Sequence, residues 1–254
     1  MEPYKIHIMQ YARREAVTAE MVLGDLSREP FEMGYFMWAI TNGEHTVVVD
    51  MGFTEETCGR REGRIWLGDP AARMRAIDID PGSVEHVIVT HLHYDHVGNY
   101  ELFPHATFYL QADEMAFWTG PYAKYKVFNR SIEVDDVVAM VRYNYAGRVA
   151  FVAGSQQIVP GVTVHRVSGH TKGMQIVSVE TKSGTAVLAS DAAHCYRNLR
   201  ENTPFLVLHD IPNYLDGFEL MRKLASSEEL ILPGHDAAVM ENFPKVADLV
   251  AVLE

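Results

Sequence analysis

Residues 90 to 98 read Thr90-His91-Leu92-His93-Tyr94-Asp95-His96-Val97-Gly98, and no other stretch restricts this chain as much. Three histidines and one aspartate fall within six residues, directly after Val87-Ile88-Val89, an apolar run that reads as a buried strand. Imidazole and carboxylate suit zinc, iron or manganese better than soft metals. His91 and His93 are two apart, so in extended backbone they point the same way. Asp95 and His96 are adjacent and tend to diverge. Four ligand-type side chains splayed in two directions fit two metals better than one. A single histidine here would read as a cap or a solvated group; a cluster this dense after a strand reads as a metal site.

The remaining bounds come from composition. At 254 residues the chain is long for one ordinary domain and short for two, so one domain over residues 1–254 is expected. A net charge of −12 argues against nucleic acid, whose binding rests on Lys and Arg neutralising phosphates, and against an anionic membrane surface. Two cysteines, Cys58 and Cys195, cannot build a disulfide framework and point to a reducing compartment. No basic segment followed by an apolar stretch opens the sequence, and no apolar run has the length of a membrane span. The expectation is a soluble cytoplasmic protein with a small-molecule substrate, and a homodimer as the one assembly entertained.

Strands are expected at Ile6–Tyr11, at Tyr35–Thr41 and Thr46–Asp50 around the hairpin signal Asn42-Gly43, at Val87–Thr90 and at Thr107–Leu110. Residues 13 to 33 read as a polar loop or lid. A helix is expected after Asp69-Pro70, through Met74 and Ile77, with further helices near Val97–Leu102 and at Ala112–Trp118. Residues 119 to 148 read as partly helical, with Val134, Val137, Val138 and Val141 on one apolar face. In the second half, strands are expected at Val149–Val152, Val162–Val167, Gln175–Glu180, Ala186–Ser190 and Glu229–Leu232. Helices are expected at Tyr214–Ala225 and Asn242–Leu253. Strands interspersed with helices in two similar halves predict an α/β fold of two packed sheets with helices outside.

One arrangement recurs four times: an apolar strand, a turn, then a ligand-type residue. Val87 to Thr90 leads to His91, His93, Asp95 and His96. Val164 to Gly169 leads to His170, Val187 to Ser190 to Asp191, and Leu230 to Gly234 to His235. Strand ends from packed sheets can converge on one rim, and rigid strands fix ligands in place. Five histidines and two aspartates make two sets of three ligands plus a bridge, leaving positions open as in catalytic metal sites.

In order, spacing and flanking glycines, His91-x-His93-x-Asp95-His96 followed by His170, Asp191 and His235 resembles the metallo-β-lactamase superfamily over nearly the whole chain. The resemblance implies an αβ/βα four-layer sandwich, two mixed sheets with outer helices, carrying a dinuclear site at one edge. By the family pattern His91, His93 and His170 hold one metal, Asp95, His96 and His235 hold the other, and Asp191 bridges them. The cofactors implied are two divalent ions, zinc first, with manganese, iron and cobalt also suited. Within the superfamily, the hairpin before Asp50, Thr90-His91, the segment His209 to Tyr214 and Pro233-Gly234-His235-Asp236 look most like the N-acyl homoserine lactonases, the quorum-quenching group. The glutathione-binding region of glyoxalase II has little room after residue 236. The extra domains of RNA-processing members fit poorly with the acidic charge. Di-iron redox relatives carry a flavin domain and a Glu ligand that this chain lacks.

The sequence departs from the lactonases at one place. They usually carry a Tyr three residues after the bridging Asp, as a donor to the substrate; here Asp191 is followed by Ala192-Ala193-His194-Cys195-Tyr196. The donor expected is therefore His194 or Tyr196. Cys195 reads as a small buried hydrophobe. The expected reaction is opening of a lactone, an N-acyl homoserine lactone or another small cyclic ester, by a hydroxide bridging two metals. Asp95 would relay the proton, and Asp50 and Asp236 are candidates to orient the ligating imidazoles. The alternatives are hydrolysis of another ester, thioester, amide or phosphotriester, and, more remotely, a non-hydrolytic metal or redox protein. Residues 13–37 and 117–145 are expected to wall the substrate. His7, His45, His86, His105, His165 and His209 read as ordinary surface or partly buried histidines.

Overall fold

The computed structural model describes residues 2–254. The period-two alternation of the strands sorts their side chains into layers. Ile6 and Ile8 point into one cluster with Val177, Val179 and Leu188, so this core lies between two sheets. Met9 and Tyr11 on the same strand point the other way, onto Met74, Phe103, Val137 and Met140 beneath the helices. Ile176, Val187 and Ala189 face a third cluster with Tyr214, Phe218 and Met221 of the helix Ile211–Leu224. Helix, sheet, sheet, helix is the αβ/βα sandwich that the sequence predicts.

The larger sheet has nine strands. Eight run in the order Lys245–Ala247, Val250–Leu253, Lys5–Val17, Pro30–Thr41, Thr46–Val49, His86–Ile88, Thr107–Gln111 and Val149–Val152; Arg64–Trp66 pairs with Lys5–Val17 off this path. The smaller sheet runs Ile231–Pro233, Gly184–Ser190, Gln175–Thr181, Val162–Arg166 and Gln156–Val159. Parallel pairing joins Thr46–Val49, His86–Ile88 and Thr107–Gln111, and also Gly184–Ser190 with Ile231–Pro233. The C-terminal ends of these parallel strands, and that of the antiparallel-paired Val162–Arg166 before His170, carry the ligand-type residues to one edge of the sandwich, where open α/β sheets place their sites.

Several expectations change. Residues 13 to 33 are mostly not a loop: the first strand continues to Val17 and its antiparallel partner begins at Pro30. The outer side chains of this ribbon are charged and pair across strands, as Arg13 does with Glu32 at 3.0 Å, while Ala16 and Met33 turn into the core beneath the helices. The expected last helix is instead the hairpin Lys245–Ala247 and Val250–Leu253, with Leu249 at φ 54 in its turn. Its β-branched valines extend the large sheet, Leu253 lying opposite Ile6. The expected helix at Val97–Leu102 is a turn at Tyr94–Val97 and a 3₁₀ turn at Tyr100–Leu102. Asp69 does cap Pro70–Arg75, accepting from the Ala71 amide at 2.9 Å. The helix Val134–Tyr145 buries Val137 and Met140 but leaves Val134 and Val138 exposed. No helix among the described residues is long and apolar enough to cross a membrane.

Candidate metal centre

All seven ligand-type residues singled out in the sequence are buried and lie together. His91, His93, His170 and Asp191 bring one ligand atom each within 4.8 Å of one another, and so do Asp95, His96 and His235. Asp191 joins the two groups. Its Oδ2 lies 3.2 Å from His170 Nε2 and 3.8 Å from His91 Nε2. Its Oδ1 lies 3.0 Å from His235 Nε2 and 3.2 Å from His96 Nε2. One carboxylate thus turns one oxygen to each set.

The outer nitrogens are held by the protein. His96 Nδ1 donates to Asp50 Oδ2 at 2.7 Å. His170 Nδ1 donates to the Val207 carbonyl at 2.7 Å, and His235 Nδ1 to the Gly34 carbonyl at 2.8 Å. The Thr90 hydroxyl donates to Asp50 Oδ2 at 2.8 Å, which leaves its oxygen to accept from His91 Nδ1 at 3.1 Å. With Nδ1 protonated, each of these rings directs the lone pair of Nε2 inward, the tautomer a metal requires. His91 Nε2 and His96 Nε2 are fully buried and have no hydrogen-bond partner. Buried polar atoms without partners are rare, and here they converge with carboxylates on one point, so the donor set fits divalent cations.

The electrostatics divide the imidazoles. Burial and the neighbouring imidazoles drive His91 and His93 far below the usual histidine range, so both are neutral. Burial also opposes charge on His96 and His235, but Asp191 and the other carboxylates around them outweigh it and raise both. Burial alone would raise Asp191; His194, His235 and their neighbours hold it well below the usual carboxylate range.

Local structure explains the placement. Asp50 has φ 58, which turns its carboxylate back under the motif; it also accepts from the Thr90 amide at 2.8 Å. Gly169 has φ 128, and a Cβ there would sit 2.5 Å from Cα of Tyr214, so only glycine lets the His170 loop lie against the helix Ile211–Leu224. Glu114, fully buried, accepts from the Leu92 amide at 3.0 Å, Trp118 Nε1 at 2.7 Å, the Thr171 hydroxyl at 2.7 Å and the Gly173 amide at 2.8 Å. It clamps the loop of His91 and His93 to the loop of His170. Nothing in its own neighbourhood in the sequence marks it.

The two donor candidates part company. His194 Nε2 lies 3.0 Å from Asp191 Oδ2, and its ring stacks on Phe205 at 3.5 Å between centroids. Tyr196 is not brought to the cluster. It opens the helix Tyr196–Glu201 on the far side of that turn, lines a separate cavity with Leu199 and Phe243, and its hydroxyl accepts from Asn242 at 3.1 Å. Asp236 likewise caps backbone, accepting from the Tyr196 and Ala238 amides, and orients no ligand. Cys195 is buried against Asn198.

Above the cluster opens a cavity of about 470 Å³. Arg14, Met33 and Tyr35 come to it from the expected wall at 13–37, and Arg130 and Ser131 from the wall at 117–145. Phe117, Trp118 and Phe128 instead line a small recess behind His93 and His170, beside His209. Arg61, Glu62, Arg64 and Phe205 to Val207 complete the main cavity and were not singled out by sequence reasoning.

A family model described as the metallo-beta-lactamase superfamily matches residues 32–235, and the chain belongs to that superfamily. The chain is similar to an N-acyl homoserine lactonase of a Bacillus species, 26% identical over 223 residues that cover 82% of this chain and 83% of the relative. Among solved structures it resembles a quorum-quenching N-acyl homoserine lactone lactonase with a TM-score of 0.80 at 18% identity, over 97% of this chain and 98% of that one. It also resembles AidC, a dizinc quorum-quenching lactonase, with a TM-score of 0.72 at 11% identity over 93% and 89%.

Proposed function

We propose that this protein is a metal-dependent hydrolase that opens a lactone. The observation that carries the reading is the split carboxylate of Asp191, one oxygen toward each histidine set, at the floor of a cavity sized for a small molecule. The relatives named N-acyl homoserine lactonases support it, as does the dizinc structural neighbour. His91, His93 and His170 would hold one divalent ion, Asp95, His96 and His235 the other, with Asp191 between them; zinc is the first choice for this nitrogen and oxygen set. When bound, such ions supply Lewis-acid polarisation of the substrate carbonyl and acidify water to a nucleophile at neutral pH.

The chain's own groups do the rest. Burial holds His194 neutral, its pKa lowered to about 3, and its Nδ1 has no partner. In this Nε2–H form the ring donates to Asp191 Oδ2 at 3.0 Å, and the same proton would turn to the oxyanion that develops on the attacked carbonyl. Phe205 fixes the ring by stacking and keeps water off it. Asp95 would receive the proton from the nucleophile and hand it to the leaving alkoxide. Two buried free cysteines suit a reducing compartment, the cytoplasm.

Metal analysis of the purified chain, with a panel of lactones, esters, thioesters and phosphotriesters followed in a pH-stat, tests the reading. About two metals per chain and preferential ring opening are expected. A chain without transition metal, or one hydrolysing only thioesters or phosphotriesters, would overturn it.

A further inference from the structure

The cavity above the cluster has two unlike walls. Met33, Phe205, Leu206 and Val207 form an apolar side, while Arg14, Arg61, Arg64 and Arg130 also border the opening. In a chain of net charge −12, four guanidinium groups border this mouth against the two glutamates, Glu20 and Glu62, that line its rim. Two of them are already engaged. Arg14 pairs with Glu20. Arg61 pairs with Glu133 at 2.8 Å, donates to the Arg130 and Ile132 carbonyls, and lies 3.7 Å over the ring of Tyr94.

Arg64 and Arg130 are not engaged in this way. Among the described residues, neither has a carboxylate oxygen within 4.0 Å. Arg64 is nonetheless fixed: Nε donates to the Tyr94 hydroxyl at 3.1 Å and Nη1 to the Glu62 carbonyl at 2.7 Å. Its Nη2 has no acceptor among the described residues. Tyr94 stands between His93 and Asp95, so this guanidinium is tied to the metal motif itself. Arg130 reaches the same opening from the segment that Arg61 pins down, next to Ser131, whose carbonyl accepts from the Tyr94 amide at 2.9 Å. A half-buried arginine held by two neutral acceptors, with a nitrogen left toward a cavity, is built to receive an oxyanion.

We propose that the substrate is anionic: a lactone bearing a carboxylate or phosphate group, which Arg64 and Arg130 bind while its ring lies toward the Phe205 side and its carbonyl toward the cluster. This rests on the lactone-opening reading and narrows its substrate class away from neutral acyl lactones.

The test compares a neutral γ-lactone with its carboxylate-bearing and phosphate-bearing counterparts on the metal-loaded enzyme. Wild type should favour one or both anionic lactones by about 10- to 100-fold in KM, the size of a charge-assisted contact, and the preference should shrink with added salt. The phosphate and carboxylate arms tell the two sources of the oxyanion apart. R64Q and R130Q should each pull the ratio of kcat/KM for anionic over neutral lactone toward one, and R64K should restore part of it. Calorimetric titration of the ring-opened anionic products gives a readout independent of turnover, with binding weakened about tenfold or more in R64Q. Equal handling of neutral and anionic lactones by wild type, or equal loss on both in R64Q and R130Q, overturns the proposal. Should no lactone be opened at all, the hydrolase reading fails by itself; the calorimetric arm then still decides, since binding unchanged in both arginine variants overturns the anion site and binding lost in them supports it.

Discussion

Asp50 accepts the Nδ1 proton of His96 at 2.7 Å while holding a backbone φ of 58. The same carboxylate takes the Thr90 hydroxyl, and through it steadies His91, so one residue orients a ligand of each proposed metal. Asp50→Asn keeps the size and tolerates the left-handed backbone, but it removes the charge and one acceptor. Metal affinity should fall about 10- to 100-fold, measured by competition with a chromogenic chelator. Unchanged affinity would show that the backbone alone aligns the rings.

Glu114 joins two loops through four accepted hydrogen bonds in a fully buried setting. Glu114→Gln sets an amide donor against donors and leaves at least one of them unpaired. A loss of about 1–3 kcal/mol in urea unfolding is expected. Metal content should fall with it, because the His91 and His170 loops lose their common anchor.

Phe205 and His194 stack at 3.5 Å, which separates two functions of that ring. His194→Phe keeps an aromatic ring beside Phe205 but has nothing to donate, so kcat should drop about 10²- to 10³-fold with metal content retained. His194→Tyr restores a donor and should keep or raise lactone opening. Equal activity in all three proteins would remove His194 from the reaction.

Asp136 carries a pH dependence away from the cluster. Burial, then Glu133 and Asp135, push its carboxyl up from 3.8 to about 7. Between those values the folded chain holds a proton that the unfolded chain has released, so this contribution to stability is present at low pH and is lost as pH rises through about 7. Asp136→Asn should therefore raise Tm at pH values about one unit above that folded pKa and change it little below the unfolded one. Calorimetry at the two pH values checks the sign.

The sequence displayed the floor of the site because each ligand follows a strand, and strand ends are legible as an apolar run broken by a turn. His91, His93, Asp95, His96, His170, Asp191 and His235 all stand at such breaks, and the fold brings them together. Tyr196 was misplaced because Tyr196 opens a new helix, and a change of backbone direction there sends neighbouring side chains to opposite sides. Glu114, Arg64 and Phe205 carry no local mark: their roles exist only once loops far apart in the chain are brought together. Charge masks the ribbon at 13–33: of its strand residues only Ala16 and Met33 are buried in the core, too few to display a period. Residues 242–253 were ambiguous for a different reason, since a short alternation of Val, Ala and Leu serves either period and only the free edge beside Ile6 decided it.

The proposed ligands come from both sheets: His91, His93, Asp95 and His96 follow a strand of the nine-stranded sheet, whereas His170, Asp191 and His235 follow strands of the five-stranded one. Ions held between them would act as rivets across the open edge of the sandwich. A growing chain that has not yet delivered Ile231–Pro233 has no His235 and no parallel neighbour for Gly184–Ser190, so it can present neither a finished set of donors nor a finished second sheet. A protein stripped of such ions should come apart first along the seam between its two sheets.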